Sequence, residues 1–242
     1  MLTAVSFIDD DSRHRTSTVV RVPNPTAPRP PKIPNRRPPA RTDSDGASLL
    51  DGDSYTGERY DRVDLSDRDL RHSTFSECSF AGTVLTGADL TGAHLVESEL
   101  TEVEAAHLTA PRSLWRHTAI RRSRLGAVVA YEGSLDGLVV ADTEISFLNT
   151  RSGTWKDVLL QRCVIDELDL VGAKLTRVRF EDCQVRSLEL TGARCTDVDL
   201  RTTQLREISG LAGLGGCTIS PDQLTDLSGA LAAHLGISVA PA

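Results

Sequence analysis

From Leu65 to Leu205 every fifth residue is apolar, and Thr150 is the single polar member of these 29 positions. At the overall hydrophobic content of 39%, about eleven of them would be apolar by chance. The register holds through Leu70, Phe75, Phe80 and Leu85 at one end and Val185, Leu190, Cys195 and Leu200 at the other, with no insertion between. A second series, two residues earlier in each unit, is small or aliphatic: Ser73, Cys78, Thr83, Ala88, Ala93, Ser98 and Val103 open it, with Arg68 as the charged exception. Two inward positions in five fit neither the 3.6-residue repeat of a helix nor the two-residue alternation of a strand. With only 4% aromatic residues, the interior has to be thin and layered, built from Leu, Val, Ile and Ala.

The units Ala88-Asp89-Leu90, Ala93-His94-Leu95, Ser98-Glu99-Leu100 and Ala173-Lys174-Leu175 resemble the A-(D/N)-L-x-x unit of the pentapeptide-repeat family. The resemblance covers residues 61–205, and more loosely extends back to Leu50. It implies an all-β solenoid: a right-handed quadrilateral β-helix of about seven coils, four units to a coil, with parallel ladders joining each coil to the next. Residues one coil apart then stack inside. One expected column is Phe75, Leu95, Trp115, Leu135, Trp155, Leu175 and Cys195, in which the two bulky rings stand two coils apart and do not collide.

The segments flanking the repeat differ from it. Residues 1–47 are read as a disordered leader, since eight of the eleven prolines lie between Pro23 and Pro39, interleaved with Arg29, Lys32, Arg36, Arg37 and Arg41. Such a stretch cannot build a core; it stays solvated in extended or polyproline II form, or docks on an SH3-like groove or an acidic surface. Residues 48–209 are assigned to the β-helix. Residues 210–242 are expected to form a helical cap or a dimer element, because Ser220-Pro221-Asp222-Gln223 reads as an N-cap, a first-turn Pro and a capping box, with Gly236 as the stop. Leu224, Leu227, Leu231 and Leu235 lie on one stripe of that helix, which either seals the last coil or meets a second copy.

Charge is uneven along the chain. The net of −7 divides into about +3 over residues 1–50, −9 over 51–110 and +1 over 111–210. Like acids one coil apart, such as Asp69 with Asp89, repel and need a reason to be there. The beginning of the chain lacks a basic segment followed by an apolar run, and five cysteines without paired spacing suit a reducing compartment, so a cytoplasmic location is expected. Arg outnumbers Lys about eightfold, as in proteins from GC-rich bacteria. No nucleophile elbow, phosphate loop, dinucleotide fingerprint or zinc spacing occurs, so no catalytic, cofactor or metal site is assigned and the chain is read as a non-enzyme.

Candidate partner-binding residues fall in three groups. The acidic coils offer Asp64, Asp69, Asp89 and Glu99; a basic cluster holds Arg116, Arg121, Arg122 and Arg124; and Ala119, Val139 and Leu159 form an outward apolar strip. A macromolecular binding scaffold with a protein partner is the favoured function, without direct nucleic-acid or membrane binding and with a possible homodimer through the C-terminal helix. The family resemblance implies an alternative: an acidic mimic of DNA that binds a type II topoisomerase such as DNA gyrase and modulates it or confers quinolone resistance. Against it stands the near-neutral stretch 111–210.

Overall fold

The structure, a computed structural model, describes residues 26–35 and 39–240. Short parallel strands stack in coils, forming a ladder of fifteen strands and a second of six. The pairing register is 20 residues through most of the stack. Phe75 pairs with Leu95, Leu95 with Trp115, Trp115 with Leu135, Leu135 with Trp155, and Trp155 with Leu175, so the expected interior column is the one observed. Within the 65–205 series only Cys195 and Leu205 are less than fully buried.

The five-residue unit has a conformational origin. Three residues before an inward position the chain turns through a left-handed residue, as at Arg62, Asp67, His72 and Glu77. Such a conformation costs a non-glycine residue about 1 kcal/mol, and the continuous ladders on either side of each bend offset it. From His107 on, one corner of each coil lacks this bend, although Asp67 and Gly87 in the same column still have it. There single six-residue strands run past it, at Glu104–Thr109, Arg124–Val129, Glu144–Asn149, Val164–Asp169, Gln184–Glu189 and Gln204–Ser209, and these make the six-stranded ladder.

The small second series has a role of its own. The hydroxyls of Ser73, Thr83, Ser98 and Thr118 donate to the carbonyls of Leu50, Tyr60, Phe75 and Leu95, each 23 residues earlier, so these side chains stitch one coil to the one before it. A larger residue would displace the wall, and a purely apolar one would lose the bond.

The stack is longer than the expected seven coils. From Thr42–Asp43, which pairs with Glu58–Arg59, to Cys217–Thr218, which pairs with Val198–Asp199, there are about nine. Tyr55 and Tyr60 occupy inward positions before the recognisable repeat, but the register does not reach Leu50: Leu49 is buried and Leu50 is exposed. At this end Tyr55 stacks on Phe75 and Tyr60 on Phe80, with ring centroids 5.3 and 4.9 Å apart, and Phe75 meets Phe80 edge-on. Arg68, the odd member of the second series, turns its guanidinium onto the carbonyls of Gly46, Ala47 and Leu49, at 3.0, 3.4 and 2.7 Å. A charge stands in a small-residue position because three carbonyls of the first turn have no strand beyond them to bond.

The other end closes differently. A 3-10 turn at Leu211–Leu214 brings Gly213 against Leu190, where a Cβ would meet the Leu190 carbonyl oxygen at 2.3 Å, and Leu214, Cys217 and Ile219 pack on the core. The helix Pro221–His234 follows with both bonds of its capping box formed, and Gln223 Nε2 also donates to the carbonyls of Leu200 and Thr203 at 2.7 and 2.6 Å. No helix residue is fully buried: Leu224 and Leu235 are exposed and Leu227 and Leu231 half-buried, while the turn before the helix and Gln223 meet the last coil.

Candidate functional site: a groove under the leader

The outward candidates lie on different sides of the coils. Asp64 and Arg124 fall on one side of the coils, Asp69 and Asp89 on the next, Arg116 on a third, and Glu99, Ala119, Val139 and Leu159 on the fourth. The basic cluster is therefore dense in sequence and dispersed in space. Arg122 pairs with Glu102 at 3.2 Å and Arg124 with Glu144 at 3.0 Å, each one coil away, while Arg116 and Arg121 are exposed. The same rule recurs down the stack, in Arg162–Asp142, Lys156–Asp136 and Arg186–Asp166. Opposite charges stacked on adjacent strands stabilise the ladder only modestly, because solvent screens exposed pairs.

The acidic stack at Asp69 and Asp89 is relieved locally. Arg71 binds Asp69 through two nitrogens and stands 4.0 Å from Asp89, and its hydrogen bonds hold the Asp69 carboxyl below the usual carboxylate range. Asp64 is likewise lowered, by the hydrogen bonds from Ser66. At Asp169, paired in register with Glu189, Arg151 supplies the countercharge at 2.6 Å.

The apolar strip is occupied. Glu99, Ala119, Val139 and Leu159 stand in adjacent strands of one ladder, and Val139 is buried although its side chain faces outward. The leader covers it. Ile33, Pro34, Pro39 and Arg41 share a groove with Glu77, Glu99, Ala119, Arg121 and Val139. Residues 26–35 and 39–41 run up the stack against the coil order. Arg29 bonds Asp197 through its backbone N–H at 3.2 Å and Nε at 2.7 Å, Lys32 N–H donates to Asp157 Oδ1 at 2.8 Å, and Arg41 bonds the Glu77 carbonyl at 2.7 Å and Glu99 at 3.3 Å. Residues 1–25 and 36–38 of the leader, Arg36 and Arg37 among them, lie outside the described residues.

The groove's polar wall is a corner column that the reading of individual motifs passes over: Glu77, Glu97, His117, Gly137, Asp157, Arg177 and Asp197, spaced twenty apart. Asp157 is its one buried acid. Arg177 binds both of its oxygens at 2.6 Å, and this pair, with the Lys32 N–H, holds the Asp157 carboxyl below the usual range against the opposing effect of burial. Asp197 is lowered by its hydrogen bonds from Arg29. The signal that could have found the column is its four acids, Glu77, Glu97, Asp157 and Asp197, in one 20-residue register opposite a basic leader.

Among the described residues no three His, Cys, Asp or Glu side chains gather as metal ligands, all five cysteines are free, and no helix is long and apolar enough to cross a membrane. The family model for pentapeptide repeats matches residues 61–102, in eight copies. No curated protein matches the chain in sequence. Solved structures similar to it include HetL, a pentapeptide repeat protein involved in heterocyst differentiation regulation in the cyanobacterium Nostoc, at 17% identity over 67% of this chain and 86% of HetL, TM-score 0.36. Full-length QnrB1, a plasmid-mediated fluoroquinolone resistance protein, is 16% identical over 78% of this chain and 94% of its own, TM-score 0.32. Residues 61–102 thus carry eight pentapeptide repeats, and the same five-residue register runs on to Leu205.

Proposed function

We propose that the protein is a non-enzymatic binding scaffold whose C-terminal helix docks on a second copy of the chain. One observation carries this reading. Of the six exposed large hydrophobic side chains among the described residues, four, Leu224, Leu235, Ile237 and Val239, are gathered at the C-terminal end, on or just after the helix. Clustered exposed apolar residues mark a contact surface, and a helix offered by each copy gives the self-complementary contact of a two-fold dimer. Leu227 and Leu231, half-buried on the same helix, extend that surface. The coils then act as a rigid spacer that carries faces of different charge.

Light scattering on the full chain tests it. A dimer that becomes a monomer on Leu224→Asp with Leu235→Asp, with the β-rich circular dichroism unchanged, is expected. A wild-type chain that is monomeric at tens of micromolar overturns the dimer.

The acidic mimic of DNA directed at gyrase is the second reading, favoured by the exposed carboxylates of Asp64, Asp67 and Asp69 in the first coils. It is the weaker one, because Arg71, Arg122 and Arg41 already neutralise Asp69, Glu102 and Glu99. A supercoiling assay with purified gyrase, with and without a quinolone, decides it: unchanged activity and drug sensitivity at high protein excess end this reading.

A further inference from the structure

We infer that the groove beside the 77–197 corner column is a docking site for an extended, proline-punctuated basic peptide of a partner protein, and that residues 26–35 of the leader occupy it as an exchangeable internal plug. The inference deepens the scaffold reading and rests on it, but it concerns a different surface from the C-terminal helix.

The groove and its occupant are complementary in three independent ways. Acids stand along the wall at Glu77, Glu97, Asp157 and Asp197, with Arg177 between the last two, and the segment brings Arg29 to Asp197 and the Lys32 N–H to Asp157, across two coils. The apolar floor at Ala119 and Val139 faces Ile33 and Pro34. The third match is conformational. Pro28, Pro30, Pro31 and Pro34 keep the segment extended, so it loses little conformational freedom on docking, and an extended chain is the shape that can follow a column of bends. Because no strand pairing joins residues 26–35 to the coils, the ladder is complete without them and they can leave without unfolding it.

The plug is held lightly. The Arg29 side chain is 69% exposed although it is paired, and an ion pair in that setting contributes little. Tethering, rather than intrinsic affinity, keeps it in place: a short connection gives a local concentration near millimolar, which an external peptide must exceed or outlast. Release uncovers Val139, which is otherwise buried, and frees Asp197 from Arg29, while Asp157 loses the Lys32 N–H and stays on Arg177.

The test uses the full chain and a fluorescent peptide of residues 26–35. In the plug variant Arg29→Glu with Ile33→Ser, the groove is intact and its occupant weakened. Fluorescence anisotropy should show the peptide binding this variant at least tenfold more tightly than wild type, more weakly as salt rises, and no longer when Asp157→Asn and Asp197→Asn are added. Trypsin should cut after Lys32 faster in the plug variant than in wild type. Equal affinity for both chains, no binding to the plug variant, equal binding of a peptide with its prolines replaced by alanine, or an unchanged rate of cleavage at Lys32 would each overturn the inference. Loss of peptide binding with an intact C-terminal dimer sinks this inference alone, whereas a monomer that still binds the peptide removes only the dimer.

Discussion

The two ends of the stack solve the same problem with different materials. Any open ladder leaves backbone groups without partners at its first and last coils. At the N-terminal end side chains do the closing: Arg68 reaches back to three carbonyls, the Tyr55 hydroxyl bridges Leu50 N–H and the Ser48 carbonyl, and four aromatic rings fill the first coils. At the C-terminal end the backbone does it, in a glycine-bearing turn laid on Leu190, and side chains contribute chiefly through Gln223. Side-chain closure leaves a finished, acidic surface. Backbone closure is followed by a helix whose Leu224 and Leu235 stay exposed, the surface proposed above to meet a second copy.

If this contrast is right, core truncation should hurt most where the rings are. Tyr60, fully buried and stacked on Phe80, anchors the aromatic end. Tyr60→Ala is expected to destabilise the protein by about 3–5 kcal/mol, and denaturant unfolding measures it. A loss below about 1 kcal/mol would mean that the first coils fray independently of the rest. Arg68→Ala comes next, at about 2–3 kcal/mol, because it strips three carbonyls of a charged donor in a partly buried site. Hydrogen exchange at Leu49 and Leu50 should rise selectively in that variant; protection lost evenly over all coils would contradict a local closing role.

At the opposite end the expected effect is smaller. Gln223→Ala removes the donor to the Leu200 and Thr203 carbonyls and half of the capping box, costing about 1–2 kcal/mol. The exchange signature should appear over Leu200–Ile208 and the helix, with Tyr60 and its neighbours untouched.

How far these ends could be read from sequence follows from the same contrast. The inward series was legible because a five-residue period repeated 29 times overwhelms any single exception, and the helix was legible through Ser220, Pro221 and Gln223. Arg68 stood out as an exception, yet its purpose needed the position of the 46–49 turn, which has no periodic signal. The two extra coils escaped for a like reason: Tyr55 and Tyr60 hold the register, but their neighbours do not follow the repeat, and the slip from Leu50 to Leu49 hides the start. The column of Ala119, Val139 and Leu159 was legible from its 20-residue spacing, although Val139 is buried and not exposed. Its occupant was not, because composition alone gives no docking partner to a proline-rich segment, and only the coil spacing aligns Asp157 and Asp197 with Arg29 and Lys32.

That leader also joins the two ends, since it passes from Glu99 near the aromatic coils to Asp197 near the glycine turn. Asp157 lies between and gives the smallest and most conditional prediction. Its side chain is 7% exposed and that of Arg177 is 15%, so solvent screens the pair less than the exposed ion pairs elsewhere on the coils. Asp157→Asn keeps the shape and removes the charge, at an expected cost of about 1 kcal/mol at neutral pH. Because the folded state holds this carboxyl below its ordinary value of about 4, its contribution is complete above that value and disappears as pH falls through the lower, folded one. The stability gap between wild type and variant should therefore stay constant from about pH 8 to 5 and close in stronger acid. A gap that does not narrow at all in stronger acid would assign the loss to altered packing under Lys32 instead of to charge.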